Sequence, residues 1–123
     1  MGCGSSADVV LSEGIQIQYF KAHGRAEPLR AMLFHAGKTW TEMPVSIPTW
    51  IGKKISKKPN NEFGLFLPIF YWNGKKITQT TAVLRAIGIE YGYYNPNDWQ
   101  EAAKIDWILD TWNDCLNMKF LET

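Results

Sequence analysis

The chain has 123 residues, 46% of them hydrophobic and 20% charged, a composition that supports one globular core and excludes a disordered chain. Lys and Arg number 13 against 12 Asp and Glu, a formal charge of +1, so no global field draws the chain to nucleic acid. Its apolar runs fall well short of the roughly 18 residues that a membrane span needs.

The leader "MGCGSS" fits the N-myristoylation pattern, with Gly2 exposed once Met1 is removed and Ser6 at the required position. Cys3 is a candidate for a second acyl chain, and two chains hold a membrane surface where one myristate binds only marginally. The same leader also reads as an unmodified flexible tail, expected over residues 1–14. "IQIQYF" then alternates, which puts Ile15, Ile17 and Tyr19 on one face of a strand, pointing inward. A helix is predicted over 26–36, with Pro28 tolerated in its first turn, Leu29, Leu33 and Phe34 as its buried stripe, and Gly37 as its stop.

"KTWTEMPVS" reads as a second strand ended by Pro44, and residues 48–64 as a long loop holding one short helical turn. The basic run "KKISKK" within it could reinforce contact with anionic lipid, although such runs are more often solvated loops. "LFLPIFYW" and "KKIT" flank Asn73-Gly74, a strong hairpin signal, because a type I′ turn needs positive φ at both central residues. "QTTAVLRAIGIEYG" predicts a helix burying Ala82, Val83, Ala86 and Ile87, capped by the hydroxyl of Thr78 or Thr80. After the linker "YYNPN", residues 98–121 read as one long helix. Ile105, Ile108, Leu109, Trp112 and Leu116 form its apolar stripe, with Asp106, Asp110, Asn113 and Asn117 opposite. The order is βαβ, then ββα, then a helix that begins something new, which defines an α/β class.

Cys3 and Cys115 are too few for a disulfide framework and form no CxxC pair, so a reducing, cytoplasmic compartment is expected and dithiol redox chemistry is not. His23 and His35 lack spaced ligand partners, and no metal site is expected. The residue that raises a chemical question is Tyr19. A phenol at a strand end, just before a helix N-terminus, can donate a hydrogen bond to an anion in a partly dry cleft. Taken alone, it reads as a core aromatic whose hydroxyl is satisfied by backbone.

Four motifs change that balance: Tyr-Phe at the strand end, "GRAEPLR", "LPI" before the hairpin, and "QTTAVLR". In this order and spacing they resemble the thioredoxin-like domain of the cytosolic glutathione transferases, in the tyrosine-using classes and most of all the sigma-like one. The similarity runs from about residue 15 to residue 114. It implies a thioredoxin-like (βαβ-ββα) glutathione-binding domain over 15–94, then a linker and the first helix of an all-helical domain over 95–123. With the chain ending at Thr123, most of that helical domain is expected to be absent.

The resemblance assigns Tyr19 to hydrogen-bond the glutathione thiolate. Lowering a thiol pKa from about 8.5 by about two units makes thiolate the major form at neutral pH. The shift amounts to roughly 2.7 kcal/mol, within the range of one hydrogen bond to a charged group. The backbone of Leu67, before a cis Pro68, would pair with the cysteinyl part of glutathione. Gln79 and Thr80, at a helix start, would hold the γ-glutamyl carboxylate. Trp50 and Lys54 would lie near the glycine carboxylate, Arg25 would support the tyrosine region or the helix start, and Asp114 would reach glutathione bound to a neighbouring subunit. Phe66 departs from the family's usual Gln or Lys, "FGLFLP" is one residue longer than usual, and His23 replaces an arginine.

The implied function is a glutathione transferase acting on a hydrophobic electrophile, or a sigma-type isomerase or peroxidase, with glutathione as co-substrate. The alternative is a non-catalytic, membrane-tethered module of the same fold that binds glutathione or a protein. A homodimer through the helical segment and a membrane surface are the further partners expected, and no nucleic acid.

Overall fold

A computed structural model describes residues 9–56 and 66–117, and of residues 53–56 the backbone alone. Strand β1 (Ile15–Tyr19) leads through a 3₁₀ turn (Gly24–Ala26) into helix α1 (Glu27–His35), then β2 (Thr41–Pro44) and α2 (Ile47–Ser56). The hairpin β3 (Ile69–Trp72) and β4 (Lys75–Thr78) follows, then α3 (Thr80–Tyr91) and α4 (Trp99–Leu116). The four-stranded sheet has the order β2-β1-β3-β4, with β1 parallel to β2 and antiparallel to β3. Asn73 and Gly74 have φ of 50° and 80°, the double positive φ that the hairpin turn requires.

Strand alternation sorts the core. Ile15 and Ile17 of β1 and Phe70 of β3 pack with Leu29 and Leu33 of α1 and with Val83, Leu84 and Ile87 of α3. On the opposite face, Ile69 joins Val45 and Trp50, with Phe20, Leu67 and Tyr71 against them. Gln16 and Gln18 are buried on that side and remain satisfied, since the Gln16 amide bonds the backbone of Val9 and Leu11, and Gln18 accepts from the Tyr71 hydroxyl.

Several expectations need correction. Phe34 is 79% exposed, because the seam of α1 runs through Leu29 and Leu33, one turn apart, and Phe34 lies a further 100° round. Residues 47–56 are a ten-residue helix and not a loop: Pro48 stands in its first turn, and the Ser46 hydroxyl accepts from the Thr49 N–H at 3.3 Å. On α3, Ala82 is exposed and Leu84 buried. The cap position of α3 falls on Gln79, so neither Thr78 nor Thr80 occupies it.

The face of α4 is the largest revision. Asp106, assigned to the outer side, points at the domain and accepts from Arg85 Nε at 2.7 Å and the Tyr94 hydroxyl at 3.0 Å. Ile108, assigned to the seam, is 58% exposed, whereas Ala102 is buried and Leu109 packs on the core. The guanidinium of Arg85 and the phenol of Tyr94 outweigh the apolar stripe, because both part-buried groups reach the Asp106 carboxylate there.

Candidate active site

The sheet brings three of the expected segments to one end. Tyr19 ends β1 and pairs in register with Pro44, the last residue of β2, and its carbonyl accepts from Val45 N at 3.0 Å. Gln18 pairs with Ile69, and Ile69 with Thr78. One step further along each strand come Tyr19, the cis Leu67–Pro68 peptide and Gln79, so three separated motifs meet at neighbouring strand ends.

The Tyr19 hydroxyl accepts the backbone N–H of Arg25 at 3.1 Å. The carbonyl of that same residue accepts from the Thr80 hydroxyl at 3.1 Å. The backbone of one residue, Arg25, therefore links the phenol to the first turn of α3. Among the described residues nothing accepts the phenolic proton of Tyr19, which leaves it available to an anion. The Thr80 hydroxyl, by contrast, is already committed, and its backbone N–H is what an anion at the mouth of α3 would meet. Gln79 is exposed and has φ 75°, an uncommon conformation for a residue with a side chain.

Around the phenol, Gly24 lies so close that a Cβ built on it would sit 2.3 Å from the Tyr19 oxygen. Arg25 turns its guanidinium away towards α4, donating to Asn113 at 3.3 Å and Asn117 at 2.8 Å. Tyr19, Gly24, Arg25, Pro28, Trp112 and Leu116 help to wall a cleft of about 610 Å³ between α1 and α4. A second hollow of about 540 Å³, with Phe20, Ala22 and Val45 in its wall, opens beside the next residue of the strand end.

The other expected residues are less directly tied to the phenol. Trp50 is buried in the same cluster that Leu67 packs against. Asp114 is exposed on α4, next to the Asn113 that reaches Arg25. Phe66 is 55% exposed. The side chain of Lys54 and the whole of Gly2 and Cys3 lie outside the described residues, as do residues 57–65, which include the start of "FGLFLP". Among the described residues no three His, Cys, Asp or Glu are grouped to hold a metal ion, and no helix is long and apolar enough to cross a membrane.

Sequence reasoning missed Gly24 and Arg30, although both stand inside the quoted motif. The signal for Gly24 was a glycine directly before a helix start, where a close backbone approach is one of its uses. Arg30 is only 16% exposed and bonds Glu27, Glu42 and the turn before α1. Burial acts against its charge, and the hydrogen bonds it donates to Glu42 and Glu27 more than offset this, holding its pKa above the usual guanidinium value. Glu27 is correspondingly held below the usual carboxyl value, by its hydrogen bond to His23 and then that to Arg30.

A thioredoxin-like domain with a tyrosine at the end of its first strand, followed by a helical segment, is the class these features define. Among proteins similar to it, glutathione S-transferase P 1 of Xenopus laevis is 36% identical over 97 residues, which cover 79% of this chain and 45% of the relative. Probable glutathione S-transferase 6 of Caenorhabditis elegans is 35% identical over 102 residues, 83% of this chain and 47% of the relative. The structure of prostaglandin synthase D of Nilaparvata lugens matches with a TM-score of 0.67 and 29% identity, over 82% of this chain and 48% of that one. No protein-family model matches the chain. Homologues and structural neighbours together support the glutathione S-transferase family, and the fold is that of its thioredoxin-like domain plus a helical segment. The chain spans about half the length of the curated relatives it matches.

Proposed function

We propose that the chain binds glutathione at the β1–β3–β4 edge and acts as a tyrosine-type, sigma-like glutathione transferase. Tyr19 is the catalytic residue. Its hydroxyl receives the Arg25 N–H and keeps its own proton for the glutathione sulfur, and this is the observation that carries the reading. The hydrogen bond stabilises the thiolate, which attacks an electrophilic carbon: a C–S bond forms and the leaving group departs with its electron pair.

Each remaining role is carried over from the family resemblance. The backbone of Leu67, at the Pro68 bend, pairs with the cysteinyl part of glutathione. Gln79 and the Thr80 N–H hold the γ-glutamyl carboxylate where the helix dipole favours an anion. Trp50 and Lys54 serve the glycine carboxylate, Arg25 fixes the turn that carries the tyrosine's donor, and Asp114 reaches glutathione in a neighbouring subunit of a homodimer. Residues 15–94 form the glutathione-binding domain, and 95–123 open a helical one. The electrophile is hydrophobic, in keeping with the apolar Phe20, Pro44 and Val45 beside the strand end. The likeness to a prostaglandin synthase D keeps isomerase or peroxidase chemistry on the same thiolate within this proposal. A cytoplasmic location with acylation at Gly2 and Cys3, holding the protein to a membrane surface, completes it.

The test is conjugation of glutathione to an aromatic electrophile by the chain and by Tyr19→Phe, with glutathione affinity measured alongside. The expected result is a fall in rate of about 10²-fold in the variant with affinity nearly kept, the effect of removing one donor to a developing or stored anion. Glutathione binding without any conjugation in the parent chain would favour the non-catalytic binding module instead.

A further inference from the structure

We propose that Arg30 is a positioning residue for Tyr19: from the first turns of α1 it anchors the 20–24 turn whose backbone sets the phenol. The inference rests on the role given to Tyr19 above. Arg30 Nη1 donates to the carbonyl of Ala22 at 2.9 Å and, more weakly, to that of His23 at 3.4 Å. The same nitrogen meets Glu27 at 3.1 Å, while Nε and Nη2 bond Glu42 of β2 at 3.1 Å and 2.8 Å. Glu42 also accepts from the Trp40 indole, so its carboxylate is fixed in turn. One guanidinium thus ties the turn both to helix α1 and to strand β2.

The geometry at the phenol explains why this matters. Gly24 follows directly on the two tethered carbonyls and lies against the Tyr19 oxygen, and Arg25, the next residue, supplies the N–H that the oxygen accepts. The Arg30 guanidinium carbon also lies 6.0 Å from the centroid of the Tyr19 ring. A shift of the turn therefore moves the phenol's only described donor and its packing surface together. Displacements of about 1 Å in such constellations cost on the order of 10²-fold in rate. A lysine cannot substitute, because a single ammonium cannot hold a carboxylate in a fork and a carbonyl at the same time.

The experiment follows the ultraviolet thiolate band of bound glutathione against pH in the full chain, for Arg30→Met, Arg30→Lys and Tyr19→Phe, and for Arg30→Met combined with Tyr19→Phe. In the Arg30 variants the bound thiol should ionise about one pH unit higher, a tenfold loss of acidity, with glutathione affinity changed less than about threefold. In the Tyr19→Phe background Arg30→Met should cause no further shift, since residues acting through one group are non-additive. Should Arg30→Met not fold, Arg30→Lys and Glu42→Gln, read in the same two backgrounds, make the same comparison. An unchanged ionisation, or an equal shift with and without the Tyr19 hydroxyl, overturns the positioning role. A thiol that ionises alike in the parent and Tyr19→Phe overturns the Tyr19 reading, and this inference with it.

Discussion

Gly24→Ala probes the contact on which the phenol's setting depends. The added methyl carbon would stand 2.3 Å from the Tyr19 oxygen and 3.1 Å from two ring carbons. Ordinary carbon contacts begin near 3.5 Å, so the ring or the turn has to move by about 1 Å. The backbone adds its own penalty, because φ at Gly24 is +44° and a side chain there costs roughly 1–2 kcal/mol. Gly37→Ala separates the two effects: its φ is +72°, but nothing lies within 4 Å of the new carbon. Urea unfolding should then show both variants destabilised by about 1–2 kcal/mol, with an extra 1 kcal/mol or so for Gly24→Ala from overpacking. In the conjugation assay Gly24→Ala should lose on the order of 10²-fold and Gly37→Ala almost nothing beyond its unfolded fraction. Equal activity losses in the two variants would refute the claim that the Gly24 backbone sets Tyr19.

Two further substitutions check the revised packing. Leu29→Ala removes a fully buried side chain and should cost about 2–5 kcal/mol, whereas Phe34→Ala, at 79% exposure, should stay within about 0.5 kcal/mol in the same unfolding experiment. A large loss at Phe34 would restore the stripe expected from the sequence. The docking of α4 should depend on acid: Asp106 is held below the usual carboxyl value by its hydrogen bond to Arg85, against the opposing effect of burial and with further help from Tyr94. A depressed folded pKa gives stability that is present above the unfolded value, near 3.9, and is lost as pH falls through the folded one. Asp106→Asn should therefore weaken the protein at neutral pH and flatten its acid limb, and an acid limb identical to the parent's would count against that anchor.

How much of this was legible in the sequence depends on the range of each interaction. The β1 alternation and the Asn73-Gly74 hairpin are local, set by pleat and turn conformation, and both are present as read. Helix α2 reads as part of a loop because lysines, Pro59 and two asparagines crowd the segment from Pro48 onward, although a proline in the first turn after a capping Ser46 is a start signal. The seam of α4 could not be read locally, since Asp106 turns inward only because Arg85 and Tyr94 converge on it from α3 and the linker. At the site, Tyr19 stood out through its strand-end position. Arg30 did not, because its partners Ala22 and Glu42 become neighbours only once β1 and β2 pair.

The most direct measurement of the central claim is the ionisation of glutathione's own thiol when bound, followed in the ultraviolet for the parent chain and for Tyr19→Phe. A bound sulfur that loses its proton about two pH units below free thiol in the parent, and near the free value of about 8.5 in the variant, is the predicted result. Identical ionisation in the two proteins would contradict it.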